Sequence, residues 1–309
     1  MRTSVKRILI CILILSFALS LSSCSKYRVE MSNSRQSEAM LTVGGETVAF
    51  EVVDFFYHAR LDAYPDEPFE DRMTWVEASI CELYAIFAVA AERNIDPYGD
   101  TVEAMLEDYV KEMIDSYPTR RDYIDDITAI HMTDATCRLL LRASICEGVL
   151  SSLTDIDEQT LRTFAAQDDV LRVLTMQLSF DTQRTWAEGR MGEILEKLGD
   201  GEDFLTVARE LATSESEHTY ITVRQWYRLC GDAALAPAVG VMSDPLWESD
   251  TVLLMKVVEK DLDFIAEHPA NILDSYLEYL IEGKTDSLQE GLEKTDAYSA
   301  LTEENFVDG

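Results

Sequence analysis

Residues 194–211, Ile194-Leu195-Glu196-Lys197-Leu198-Gly199-Asp200-Gly201-Glu202-Asp203-Phe204-Leu205-Thr206-Val207-Ala208-Arg209-Glu210-Leu211, decide how the second half of this chain folds. Apolar side chains recur at Ala187, Met191, Ile194, Leu195 and Leu198, and again at Phe204, Val207, Ala208 and Leu211. Spacings of three and four place each set on one face of a helix. Gly199-Asp200-Gly201 lies between them, where glycine ends a helix at little steric cost. Upstream, Val170–Phe180 is a run of apolar and β-prone residues that reads as a strand, and Thr251–Val258 reads as another. Between helices and last strand, the polar stretch Glu215–His218 is expected to lie outside any strand. A short Tyr220–Tyr227 segment and a Gly/Ala/Pro stretch follow it. Helices bracketed by strands make residues 170–259 an α+β unit.

Outward from this unit the pattern is helical. Stripes at Val76, Ile80, Leu83, Tyr84, Phe87 and Ala91, and at Val102, Met105, Leu106, Tyr109, Val110 and Met113, mark helices in a region running from Phe50 to about Leu153. Pro65 and Pro68 part the first helix from the second, and Asp96-Pro97-Tyr98-Gly99 the second from the third. Leu41–Val48 forms two β-prone pieces around Gly44-Gly45, a hairpin signal. After the α+β unit, Leu273, Tyr276, Leu277 and Leu280 share one helical face, and the final residues are expected to be loosely packed. The expected plan is a signal segment (1–23), a polar tether (24–39), a helical domain (40–165), an α+β domain (166–260) and a helical segment (261–309) packing back on the helical domain.

The first 23 residues differ from the rest. Arg2, Lys6 and Arg7 precede an apolar run from Ile8 to Leu21, and the first acidic residue is Glu30. A run of 14 residues is too short for a membrane span, which needs about 20, and matches an export signal. It ends in Leu21-Ser22-Ser23-Cys24, similar to the lipobox of bacterial lipoproteins, whose cysteine is diacylated and becomes the new N-terminus. Two acyl chains suffice for stable anchoring where one does not. The chain of 309 residues carries 26 basic and 58 acidic residues, a net charge of −32. Removing residues 1–23 takes three basic residues and no acidic one, leaving −35. Such a charge repels a phosphate backbone and excludes nucleic acid as a partner; it also opposes adsorption to anionic lipid, so that membrane attachment must come from Cys24. With 47% apolar and 27% charged residues the chain has enough core to fold.

Other chemistry is sparse. With Cys11 in the signal and Cys24 lipidated, Cys81, Cys137, Cys146 and Cys230 remain, with no CxxC. The echo of Ala78-Ser79-Ile80-Cys81-Glu82 in Ala143-Ser144-Ile145-Cys146-Glu147 sits in apolar helical stretches and fits buried thiols, with a disulfide or metal pair as the other reading. His58, His131, His218 and His268 are scattered without ligand spacing. No metal site and no cofactor are expected, and G-x-S-x-G, P-loop and G-x-G-x-x-G motifs are absent from the sequence.

The order of parts resembles the exported parvulin-type foldases, the SurA- and PrsA-like family of peptidyl-prolyl isomerases. Leu41–Phe56 looks like the opening of their helical SurA-N/trigger-factor-like chaperone domain. The block 194–211 is similar to the family's helix, Gly-x-x-Phe, helix segment. Val239-Gly240-Val241-Met242-Ser243-Asp244-Pro245 resembles the turn before the last strand, which ends at Lys256-Val257. The resemblance implies a mostly helical chaperone domain with a small parvulin-like α+β domain inserted in it.

Active members of that family carry a histidine on the first strand, another on the last strand, and a Met/Phe-lined proline pocket. Matching the strands puts Thr175 and Leu253 where those histidines would lie, beside the Gln225-Trp226-Tyr227 turn. Gly240 follows Trp226 by 14 residues, a shorter connection than the family's, and the missing part is the one that supplies the pocket. Thr175, Trp226, Tyr227 and Leu253 are therefore expected to form a degenerate cleft, with no catalytic residue assigned. The resulting expectation is a lipid-anchored extracytoplasmic chaperone of a bacterial membrane that binds unfolded exported polypeptides, with little or no isomerase activity. Phe55, Phe56 and Tyr57 are candidate client-binding residues, although core packing explains them equally well. The alternatives are an active peptidyl-prolyl isomerase, as the family implies, and a solute-binding lipoprotein of a transporter. The second would show alternating strands and helices in both halves.

Overall fold

A computed structural model describes residues 33–152, 156–180, 183–231, 234–268 and 270–306. The expected signal segment, Cys24 and the tether up to residue 32 lie outside the described residues. The fold is α+β. It divides into two compact units, one made of the chain up to residue 153 together with the chain from Leu280 on, the other of Thr154–Tyr279.

In the first unit, strands β1 (Ala39–Val43) and β2 (Glu46–Ala49) form an antiparallel hairpin in which Val43 pairs with Glu46. The connecting Gly44 and Gly45 have φ of 59° and 89°, the positive values that a two-residue hairpin turn demands of both central positions. Helices α1 (Phe50–Ala63), α2 (Phe69–Glu92), α3 (Asp100–Asp115), α4 (Arg120–Ala129) and α5 (Asp134–Leu150) follow, broken at the expected Pro65/Pro68 and Asp96–Gly99 positions. Helix α2 is long and apolar enough to cross a membrane. Its Val76, Ile80, Leu83 and Phe87 are nevertheless buried within the unit, which makes it a core helix. The α3 stripe is narrower than its sequence suggests: Val102, Leu106 and Val110 face the core, while Tyr109, at the stripe's edge, is exposed.

In the second unit, α6 (Glu158–Ala166) leads into a four-stranded antiparallel sheet of order β4-β3-β6-β5, with β3 at Val170–Ser179, β4 at Ser214–Thr222, β5 at Leu246–Trp247 and β6 at Thr251–Val258. Helices α7 (Arg184–Gly199) and α8 (Phe204–Leu211) cover one face. There Leu174, Met176, Leu178, Val252 and Leu254 pack on Ala187, Met191, Ile194, Phe204, Val207 and Leu211. Gly201, with φ 89°, turns the chain between them, and the Asp203 carboxylate accepts the Thr206 N–H to cap α8. Helices α9 (Val223–Cys230) and α10 (Leu262–Glu267) belong to this unit, and α11 (Ala270–Glu290) begins in it, the division between the units falling after Tyr279. Phe164 of α6 packs against Tyr276 and Tyr279 of α11, so this unit begins before residue 166 and continues past residue 260.

Two sequence expectations are corrected here. Glu215–His218 is part of β4, because its polar side chains suit an edge strand whose backbone pairs with β3. The segment after it is strand and then helix: Thr222 and Gln225 form a reciprocal capping box that starts α9. The final described residues, up to 306, are not loose. β7 (Glu293–Lys294) pairs with β1, the Thr295 N–H donates to the Met40 carbonyl at 3.0 Å, and Tyr298, Leu301 and Phe306 are buried in the first unit.

Candidate functional site

The sheet face opposite α7 and α8 gathers the sequence's cleft residues. Thr175 pairs with Met255 across β3 and β6, and directly opposed residues of an antiparallel pair point to the same face. Leu253, two positions from Met255, shares that face. Beneath it Leu171, Val173, Ile221, Met255 and Val257 enclose Trp226, with Tyr227, Val241, Leu246 and Leu253 packed around them partly buried. Trp226 is 1% exposed, and its indole N–H donates to the Leu235 carbonyl at 3.1 Å. The capping box fixes the first turn of α9 and therefore the direction from which this ring enters the cluster.

The connection after α9 is stitched along β6. The Gly240 N–H donates to the Val257 carbonyl, the Val257 N–H to the Val241 carbonyl, and the Ser243 N–H to the Met255 carbonyl, all at 2.8–2.9 Å. Met255 N–H in turn donates to Ser243 Oγ at 3.0 Å. Gly240 adopts φ 91°, which a side chain would resist. This stitching holds the connection close to the strand edge and leaves Leu235 and Val239 exposed, at 71% and 58%.

The chemistry available on this face is apolar contact plus hydroxyls such as those of Thr175 and Tyr227. Thr175 and Leu253, which the sequence resemblance matches to histidines, offer no imidazole. Cys230 at the border is kept protonated, its pKa raised by burial and further by the Asp244 charge. His218 lies on β4, its ring stacked on Phe264 at 3.3 Å and 6°. Its Nδ1 is buried with no hydrogen-bond partner among the described residues. Burial lowers the His218 pKa and the Arg172 charge adds to this, against opposing contributions from Asp261 and Glu217.

Phe55, Phe56 and Tyr57, the client-binding candidates, are all buried. Phe56 meets Trp75 edge-on, and Tyr57 is covered by Phe306, their rings stacked at 3.8 Å and 15°. The Tyr57 hydroxyl accepts from Arg72 at 2.8 Å; Arg72 also donates to the Glu67 carbonyl and faces Glu303 at 3.5 Å. The four cysteines among the described residues are free thiols; burial pushes Cys81 and Cys146 up to about 11.

One group able to hold a metal ion was not legible as such in the sequence. Asp54, His58 and His131 place a ligand atom each within 4.8 Å of one another. The histidines, 73 positions apart, are scattered along the chain but not in space. Only the Asp54/His58 spacing of four on one helix could have signalled it.

No family model matches the chain, and no curated protein matches it. Among solved structures it is similar to the foldase protein PrsA from Lactococcus lactis, at 13% identity over 88% of this chain and 100% of that one, with a TM-score of 0.25. PrsA from Streptococcus pneumoniae matches at 14% identity over 87% of this chain and 97% of that one, TM-score 0.27. PrsA from Bacillus subtilis matches at 10% over 82% and 93%, TM-score 0.26. At these identities and TM-scores the likeness assigns no activity to the chain.

Proposed function

We propose that this chain is a lipid-anchored extracytoplasmic chaperone of the foldase type that binds unfolded exported polypeptides and has little or no prolyl isomerase activity. The observation that carries the reading is the sheet face built on Trp226, which holds Thr175 and Leu253, the two residues that the resemblance matches to the histidines of an isomerase cleft. Rotation about a peptide bond meets a barrier of about 18–20 kcal/mol. Only groups that bind the twisted amide better than the planar one lower it. A face of Thr175, Tyr227 and Leu253 contacts an extended apolar peptide equally well in either isomer, so it binds without accelerating. The exposed Leu235 and Val239 beside it extend the apolar surface offered to a client.

In the helical unit, Phe306 stands in the place a client ring would take on Tyr57. Client binding there requires the Glu303–Phe306 turn to leave. The diacylated Cys24 would keep the acidic body near the membrane that exported chains cross, while its charge of −35 holds it off anionic head groups.

Two assays on the chain from residue 25 onward test this. Suppression of aggregation of a chemically unfolded client at equimolar ratio is expected, whereas no suppression at several-fold excess counts against chaperone action. In a protease-coupled proline tetrapeptide assay the uncatalysed rate is expected; acceleration that Thr175→Val abolishes makes the chain an active isomerase.

A further inference from the structure

Asp54 and His58 stand one turn apart on α1, both buried, with His58 Nε2 3.5 Å from Asp54 Oδ1. The His131 ring lies over the His58 ring at 3.4 Å and 7°. His131 comes from the turn that ends α4, where the Met132 N–H reaches back to the Ile127 carbonyl at 2.9 Å and the His131 N–H to the Thr128 carbonyl at 3.0 Å. That pattern puts His131 at the position after the helix cap which favours glycine or asparagine, and it has φ 56°. A left-handed residue with a β-carbon costs about 1–2 kcal/mol, and such strain concentrates at functional positions.

The turn is also pinned. Thr133, which caps α5 by accepting the Thr136 N–H, donates its hydroxyl to the Glu51 carboxylate at 2.5 Å, 82 positions away on the first turn of α1. The same contact that joins α5 to α1 therefore holds the backbone of His131 beside the turn of α1 that carries Asp54 and His58, and leaves its side-chain torsions to adjust.

We propose that Asp54, His58 and His131 form a site for a divalent transition-metal ion, of which Zn²⁺ fits the donor set best. Two imidazoles, borderline donors, and one carboxylate make a set that zinc accepts, with water in the fourth position. Zinc–nitrogen and zinc–oxygen bonds of about 2.0–2.2 Å place tetrahedral ligand atoms about 3.4 Å apart. The ligand atoms already lie within 4.8 Å. Closing the remainder takes a side-chain rotation of His131, the most exposed of the three, away from its stack and toward the Asp54 carboxylate. A hard ion such as Mg²⁺ or Ca²⁺ prefers an all-oxygen shell and is not expected to compete.

The test is titration of the full chain with Zn²⁺ against a chromogenic chelator, in excess Mg²⁺ to occupy surface carboxylates, with His131→Asn as the principal variant. Asparagine tolerates the left-handed conformation, so the fold is kept while the imidazole goes. One Zn²⁺ per chain is expected, with affinity at least roughly tenfold weaker in His131→Asn and in Asp54→Asn, the scale on which even supporting groups act. Co²⁺ substitution gives a second readout, a visible absorption band of tetrahedral cobalt in the wild type that His131→Asn loses. Equal Zn²⁺ affinity in wild type and both variants, or no stoichiometric uptake by the wild type, overturns the site.

Discussion

Trp226 and Tyr57 are both large rings buried almost completely, yet they are enclosed by opposite means. Trp226 is set from within one continuous stretch of chain: Thr222 and Gln225 start its helix, and the strand residues that enclose it run from Leu171 to Val257 on either side of it. Tyr57 is closed by Phe306, 249 positions away, and its hydroxyl is held by Arg72, which in turn faces Glu303. One unit is thus closed within a single continuous segment, while the other is finished only when the end of the chain returns. The comparison predicts which damage each unit tolerates.

The largest effect is expected from Trp226→Ala. Emptying a fully buried aromatic site costs about 3–5 kcal/mol, and the Leu235 carbonyl loses its donor as well. Denaturant unfolding followed by unit-specific probes should show the loss in the β-sheet unit and leave the helical unit's transition in place. Equal losses in both transitions would break the distinction. Phe306→Ala comes next, at about 3 kcal/mol, and its loss should fall on the helical unit. It should also raise binding of an apolar dye or an unfolded client, because the Tyr57 ring becomes available. A loss of stability without any gain in binding would leave Phe306 as packing alone.

Arg72→Met sharpens the same point on a smaller scale. The guanidinium is 1% exposed and satisfies the Tyr57 hydroxyl and the Glu67 carbonyl. Leaving those acceptors without their donor costs about 1–3 kcal/mol, partly offset because methionine fills the space without bringing a charge indoors. Calorimetry should place the shift in the helical unit. If Arg72→Met is as stable as the wild type, the return of the chain's end is held by the Phe306 stack and not by the ion pair with Glu303.

The same contrast explains what could be read from the sequence. The α7–Gly–α8 block, the strands on either side of it and the Gly44-Gly45 hairpin were legible because periodicity and turn chemistry act between residues a few positions apart. β4 was missed because an edge strand needs backbone pairing more than apolar side chains, and Glu215–His218 has only the former to offer. The capping box at Thr222 was available as a T-x-x-Q signal. Burial of Phe306 and the meeting of His58 with His131 were not, because nothing within a helix repeat encodes a contact made across 73 or 249 positions. Tyr109 failed for a related reason: a stripe fixes which face is apolar, but the neighbour's width fixes how much of it is covered.

The smallest effect tests the local unit by pH. In the folded state the His218 pKa lies below the ordinary imidazole value of 6.5, because burial against Phe264, assisted by Arg172, disfavours the charged ring. The unfolded chain therefore takes up its proton first as pH falls. The stabilisation from keeping His218 neutral is fully present above about pH 6.5 and is lost as pH falls below that value through the folded pKa. His218→Phe keeps a flat ring against Phe264 and removes the titration. Its unfolding midpoint should hold nearly level between pH 7 and 5, where the wild type's declines. The decline should appear in the β-sheet unit's transition alone. A wild-type decline that survives in His218→Phe would assign the acid sensitivity to carboxylates, and a His218-dependent decline shared by both transitions would mean that the two units unfold as one.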